Sequence, residues 1–269
     1  MRVPFRIRFA AQRVTNPQYG RRLSMVLEHP MQFYSTLARK IYPGSSPKPV
    51  ELKLKDGKVI LVREFWSMFL FDEIFVSNCY EAPQLLKCGP FDTVIDIGAN
   101  IGLFTLRSKQ LWPNARVIAL EPHPGNFEYL QEHLRVNRIE RVFPLAEGIA
   151  DKCGCLDLYL SGRNIAGHSM FKGKESASVS VPVTTLQDVL ERVGIDGGKV
   201  LMKVDCEGCE LPLLSNLDRA TADRITCIVF EPERSLYNLE ELCGKLERLG
   251  FRSSTHGQLV VLVKEDDSL

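Results

Sequence analysis

The stretch VIDIGANIGLFTL, residues 94–106, runs apolar, breaks at an acid and two glycines, and then resumes in apolar residues. Thr93–Ile97 reads as a buried strand and Gly102–Lys109 as the opening of a helix, so Asp96-x-Gly98-x-Asn100-x-Gly102 falls on the turn that joins them. Two readings compete for that turn. In one it is a tight strand-to-helix connection. In the other its glycines let a ligand approach bare backbone, and the helix after Gly102 offers free N–H groups to a carboxylate or phosphate. Asp96 would repel phosphate and suits a ligand carrying an ammonium or sulfonium charge. The spacing also differs from G-x-G-x-x-G, which argues against a dinucleotide.

Downstream, strands and helices alternate. Arg116–Leu120, Val142–Ile149, Val200–Val204 and Ile225–Phe230 read as strands, with helices over Asn126–Asn137, Gln187–Val193, Leu211–Leu217 and Leu239–Leu249 between or after them. Leu156–Leu160 and Val179–Thr184 read as an antiparallel pair, and Phe251–Thr255 with Leu259–Val263 as a closing hairpin. This order predicts a doubly wound α/β sheet that binds ligands at the carboxyl ends of its strands. Upstream, VELKLKDGKVILV is a hairpin about Asp56-Gly57, FLFDEIFVSNCYEAPQLLK reads as helical, and residues 1–45 are helical in part, over Arg22–Ile41. The expected organisation is a basic N-terminal extension, residues 1–49, before one domain over residues 50–269.

Composition fits an ordinary globular chain, with 45% hydrophobic and 25% charged residues in 269. No apolar stretch approaches the ~18 residues of a membrane-spanning helix, and the arginines scattered through MRVPFRIRFAAQRV interrupt any secretory apolar region. The net charge of +1 conceals an asymmetry: nine of the 34 Lys and Arg, but only Glu28 of the 33 acids, fall in residues 1–49. Such a head suits a polyanion or an anionic membrane surface, a helical extension packed on the acidic body, or a transit peptide. Of the eight cysteines, Cys153-x-Cys155 and Cys206-x-x-Cys209 have the look of zinc or redox half-sites, but no histidine stands at a ligand spacing. Reduced structural thiols are the expectation, which implies a cytoplasmic setting.

The second core strand ends in Glu121-Pro122, where an acid can accept both hydroxyls of a ribose. Asp96, the glycine turn and Glu121 together describe a site for a nucleoside bearing an amino acid, S-adenosylmethionine. TVIDIGANIGLFTL, VIALEPHPGNFEYLQEHLRVN, VTTLQDVL and LMKVDCEGCELPLL resemble, in order and spacing, the FkbM-type S-adenosylmethionine-dependent methyltransferases, and IFVSNCYE before them is similar too. The resemblance covers about residues 50–231, and K-x-D-x-E-G-x-E is its most specific mark. It implies the class I methyltransferase fold, Rossmann-like with a C-terminal antiparallel hairpin, and methyl transfer, most often to a hydroxyl of a sugar, glycan or natural product. By the same resemblance Asp96, Gly98, Asn100 and Gly102 would hold the methionine part, Glu121 the ribose, and Ala150 and Asp151 would lie by the adenine. Cys206 and Cys209 depart from the aliphatic or small residues usual at their positions.

Methyl transfer needs an aligned acceptor and a group to take its proton. Strand alternation puts Lys203 and Asp205 on one side, with Glu207 following in the loop. Asp205 is the first candidate for base or acceptor-orienting group, Glu207 the second, and Lys203 would hold the carboxylates or lower a hydroxyl's pKa. A purely structural charge network, or a divalent ion held by Asp205, Glu207 and Glu210, are the alternatives. His168, in the polar loop SGRNIAGHSMFKG of residues 161–173, is a further candidate base, with Asn164 and Ser169 as hydrogen-bond partners for a polyol, and Glu231 could complete the pocket. Rival functions are methylation of nitrogen or of a macromolecule such as RNA, against which the lack of an NPPY-type motif counts, and a non-catalytic binding protein, against which the intact acids count.

Overall fold

A computed structural model describes residues 4–41, 48–159, 177–195, 197–206, 208–233 and 237–265. The chain divides into two compact units, one of residues 1–78 with 133–138, the other of residues 79–132 with 139–269.

The first unit carries three short helices, α1 (Phe5–Thr15), α2 (Pro17–Val26) and α3 (Pro30–Lys40), then a hairpin of β1 (Val50–Lys53) and β2 (Val59–Val62), then α4 (Phe65–Phe71) continued by one wide π turn, Asp72–Val76. Asn16 starts α2 by accepting the N–H groups of Gln18 and Tyr19, with Pro17 in the first turn where its missing N–H costs nothing. The expected single helix over 22–41 is therefore two, broken at Leu27–His29, where Pro30 restarts it. Leu23, Phe33, Leu52, Ile60, Phe65 and Phe71 are all fully buried. The hairpin's apolar side and the helices pack together within this unit.

The second unit is the expected α/β sheet. After α5 (Pro83–Cys88), its seven strands are β3 (Thr93–Ile97), β4 (Arg116–Leu120), β5 (Val142–Leu145), β9 (Val200–Val204), β10 (Cys227–Phe230), β11 (Phe251–His256) and β12 (Leu259–Lys264). Their spatial order is β11-β12-β10-β9-β3-β4-β5. β12 is antiparallel to both its neighbours, and the remaining pairs are parallel. β3 and β9, at the centre, are buried at every position, as expected of parallel strands covered on both faces. The connecting helices are α6 (Leu103–Leu111), α7 (Pro124–Val136), α8 (Leu186–Arg192), α9 (Glu210–Ser215), α10 (Arg219–Ala222) and α11 (Leu239–Arg248). One sheet face, with Ile95, Ile97, Met202 and Val204, packs against α8, α9 and α11. Asp96 and Lys203, offset by one residue, point to the other face.

The expected strand over Val142–Ile149 is interrupted: β6 (Gly148–Ile149) leaves the main sheet and pairs with β8 (Ser178–Thr184), which in turn is antiparallel to β7 (Gly154–Tyr159). This places Ala150 and Asp151 at the edge of a second, three-stranded sheet.

Candidate active site

The parallel register sets Asp96 of β3 directly beside Lys203 of β9. Both side chains are buried, and Lys203 Nζ lies 3.2 Å from Asp96 Oδ1. The other carboxylate oxygen, Asp96 Oδ2, accepts a 2.6 Å hydrogen bond from Thr105 Oγ1 on α6. Lys203 Nζ also donates to the Gly98 carbonyl at 2.7 Å and lies 3.6 Å from Asp205 Oδ2. Burial works against the ammonium, but Asp96, Asp205 and Glu121 outweigh it and hold its pKa above the ordinary lysine value. The rings of Tyr80 and Phe104 lie 5.9 and 5.8 Å from it and add quadrupole attraction. A lysine held charged in this way does not take a proton. It anchors the acids and the glycine turn.

Asp205 follows β9 and stays about a third exposed, with its side-chain accessibility at 32%. Its Oδ2 accepts a 2.6 Å hydrogen bond from Tyr80 Oη. Oδ1 has no partner among the described residues, so one oxygen is fixed and the other is presented. Tyr80 itself is held edge-on against Phe104, with centroids 4.9 Å apart, and burial followed by the charge of Asp205 raises its hydroxyl pKa well above the tyrosine range. Sequence reading did not single out Tyr80 or Phe104. The only signal was IFVSNCYE, whose tyrosine precedes the core by more than a strand. The neighbouring Glu81 pairs with Arg107 on α6 and ties that segment to the helix.

The glycine turn is tightly knit. Gly98 has φ +74°, and a Cβ there would overlap the carbonyl oxygen of Asp205, so this glycine serves the close approach of the β3–α6 turn to the end of β9. The N–H groups of Gly98 and Ala99 both reach the Leu120 carbonyl, at 3.0 and 2.8 Å. Asn100, at φ +51°, gives its N–H to Glu121 Oε2 at 2.8 Å. Gly102, at φ +85°, starts α6 with no side chain in the space taken by Leu130. Glu121 Oε1 accepts the His123 N–H at 2.9 Å. Burial pushes the Glu121 carboxyl up to about 7, against the two backbone N–H groups that favour its charge.

Ala150 and Asp151 line a cavity of about 330 Å³ with Thr185, Leu186, Leu213 and Asn216. Asp151 Oδ1 accepts from Asn216 Nδ2 at 2.9 Å. The Thr185–Asp188 pair that caps α8 explains part of VTTLQDVL structurally: Asp188 N donates to Thr185 Oγ1 at 3.1 Å and Thr185 Oγ1 donates to Asp188 Oδ2 at 2.7 Å.

In the loop after β9, Glu210 turns inward and accepts the N–H groups of Cys206 and Gly208, at 2.9 and 2.8 Å. Its carboxylate is thus spent on the loop and not turned toward an ion. Glu231 ends β10 with an exposed side chain, yet partial desolvation and the charge of Asp205 raise its carboxyl pKa. Cys206 and Cys209 form a disulfide, and the other six cysteines are free. This corrects the expectation of eight reduced thiols: the turn that Glu210 closes brings the two Cα atoms to 5.6 Å, within bonding range. The thiols therefore no longer speak for a reducing compartment. Glu207, His168, Asn164 and Ser169 lie outside the described residues. Among the described residues no helix is long and apolar enough to cross a membrane, and no three potential metal ligands come together.

The sequence model of the methyltransferase FkbM domain matches residues 96–253. Methyltransferase sdnD of Sordaria araneosa is 31% identical over 196 residues, which cover 61% of this chain and 74% of that protein. The 31-O-demethyl-FK506 methyltransferase FkbM of Streptomyces tacrolimicus is 26% identical over 182 residues, covering 67% of this chain and 65% of that protein. Among solved structures, methyltransferase FkbM from Methylobacillus flagellatus aligns over 97% of this chain and 62% of its own, at 17% identity and a TM-score of 0.47.

Proposed function

This chain belongs to the FkbM methyltransferase family, and from that membership we propose that it binds S-adenosylmethionine at the carboxyl ends of β3, β4 and β9 and methylates a hydroxyl oxygen of a small natural product or glycan. The observation that carries the reading is Asp205, with one carboxylate oxygen held by Tyr80 and Lys203 and the other presented.

The residues present fit the cofactor. Each oxygen of Glu121 accepts one backbone N–H and keeps lone pairs for the two hydroxyls of a ribose. The cavity beside Ala150 and Asp151 has apolar and polar walls suited to an adenine. Bound S-adenosylmethionine supplies an electrophilic methyl on a sulfonium. Asp205 Oδ1 would accept the acceptor's hydroxyl proton, and Lys203 holds the carboxylate in place. The Streptomyces relative carries 31-O-demethyl-FK506 in its name as the compound it methylates, which favours oxygen of a natural product as the acceptor class here.

The test is calorimetric titration of the purified chain with S-adenosylmethionine and its demethylated product, repeated on Glu121→Ala and Asp96→Ala with circular dichroism to confirm folding. Micromolar binding to the wild type, lost in a folded Glu121→Ala, is expected, followed by turnover of hydroxyl acceptors in a screen of polyketides and glycans. Absence of binding at millimolar ligand would sink the proposal.

A further inference from the structure

Four arginines of the first unit stand outside its ion pairs among the described residues. Arg13 is committed, bonded to Asp72 at 2.6 Å and stacked 3.8 Å over Phe9. Lys40 is buried and donates to the carbonyls of Lys48 and Arg63. Arg8, Arg21, Arg22 and Arg39, by contrast, are exposed, and none meets an acidic side chain among the described residues. Glu28, the single acid of residues 1–49, is already paired with Lys53 at 3.0 Å.

The same exposed faces carry apolar side chains that a soluble surface gains nothing by showing. Met25 and Met31 are 71% and 75% exposed and Val14 is 65% exposed. On α2 the buried Tyr19 and Leu23 face inward, while Gln18, Arg21, Arg22 and Met25, at i, i+3, i+4 and i+7, share the opposite side. On α3 Met31 lies on the exposed side together with Ser35 and Ala38, with Arg39 beside them. Only Leu27, Glu28 and His29 separate the helices that carry the two methionines.

We infer that the outer faces of α1, α2 and α3 form a docking surface for a bilayer rich in anionic phospholipid. Guanidiniums bind headgroup phosphates by paired, charge-assisted hydrogen bonds, and unbranched methionines enter the acyl boundary without needing a preformed pocket. The pairing of arginine with exposed aliphatic and thioether groups is what separates this surface from one built for nucleic acid. A nucleic-acid surface would offer free aromatic faces for stacking; on these helices Phe9, Tyr19 and Phe33 are buried, Tyr34 is half-buried, and Phe5, 43% exposed, already has its ring stacked on Trp66. The inference does not depend on the methyl-transfer reading.

Vesicle co-sedimentation of the full chain tests it, using phosphatidylcholine vesicles with and without about 30% phosphatidylserine. Binding to the anionic vesicles only is expected, and it should weaken severalfold as salt rises from about 0.1 to 0.5 M. Arg21→Glu with Arg22→Glu should lower the partition coefficient about tenfold or more, because each basic residue near an anionic surface contributes about fivefold. Met25→Ser with Met31→Ser should lower it severalfold at unchanged charge. All four positions are exposed, and circular dichroism checks that helix content is kept. Equal binding to neutral vesicles, or none to anionic ones, overturns the inference. Two other outcomes also overturn it: tighter binding to a single-stranded RNA oligonucleotide that ignores the methionine pair, or a stable dimer in light scattering that the methionine pair dissolves while vesicle binding is absent.

Discussion

Glu121 illustrates how one buried acid couples ligand affinity and fold stability with opposite signs. Its carboxyl titrates at about 7 in the fold, against an ordinary value of 4.5. The native state therefore holds a proton between those two values that the unfolded chain has lost. This group's contribution to stability is fullest below pH 4.5 and disappears as the pH rises to 7. Ribose hydroxyls, which donate, need the ionised form. Affinity for S-adenosylmethionine is accordingly expected to be about tenfold tighter at pH 8 than at pH 6, with release of a proton on binding at the lower value. Calorimetry in buffers of different ionisation enthalpy reads both, and Glu121→Gln should flatten the pH step. A wild-type profile that is level across the range would show that Glu121 does not titrate with binding. Tyr80 poses a second question at this scale, because its hydroxyl donates to the oxygen of Asp205 that also faces Lys203. Tyr80→Phe keeps the ring against Phe104 and removes one hydrogen bond. It is expected to cut kcat about tenfold through misorientation while leaving cofactor affinity unchanged. In an Asp205→Asn background the same change should have no further effect. Additive losses would mean that Tyr80 acts through something other than Asp205, and an active Asp205→Asn would overturn the role of Asp205 itself.

Among the elements, the turn from β3 into α6 shows what was legible and what was not. The boundaries of β3, β4 and β9 follow from largely apolar runs, interrupted by Asp96 in β3 and Lys203 in β9 and ended by Gly98, Glu121 and Asp205, and they coincide with the strands observed. The exit of β6 from the main sheet was not legible, since a strand that changes partners keeps the same apolar pattern. Nor was the partnership of Tyr80 with Asp205, which joins residues 125 positions apart and leaves no local trace. Gly98 lies between these cases. Sequence marked it as a position needing a glycine and offered ligand access as one reason, whereas the fold also uses it to admit the Asp205 carbonyl. The two requirements, backbone conformation and space, are separable by comparison with Gly57, whose φ is +85° but around which nothing approaches an added Cβ. Gly57→Ala is expected to cost about 1–2 kcal/mol, the left-handed penalty alone. Gly98→Ala should cost clearly more, because the overlap is with backbone and the strand end must move. Urea unfolding of both variants checks this, and equal losses would mean that the turn relaxes around the new methyl at no extra cost.

At the level of the whole molecule, the chain assigns its candidate site chemistry and its exposed arginines to different compact units. Tyr80, Asp96, Glu121, Lys203 and Asp205 all belong to the second unit, whereas Arg8, Arg21, Arg22 and Arg39, which meet no acid among the described residues, and the exposed Met25 and Met31 belong to the first. The acid-poor composition of residues 1–49 was visible in the sequence, but which arginines remain available was not, because that depends on Arg13 finding Asp72 from 59 residues away. If cofactor binding is a property of the second unit, its effect on local opening should be unevenly spread. A ligand at 100 times its Kd stabilises the state that binds it by about 2.7 kcal/mol. Amides that exchange only through openings which break the site slow by the corresponding factor of about 100, and amides released by other openings do not. Hydrogen exchange with and without S-adenosylmethionine is therefore expected to show new protection in the β3–α6 turn, around Glu121 and in the loop after β9. Exchange from α1, α2 and α3 should be unchanged by S-adenosylmethionine and slowed by anionic vesicles. Protection by cofactor that spread evenly over both units would show that they open together, and the separation of chemistry from surface recognition would then fail at the level of dynamics even if each site proved real.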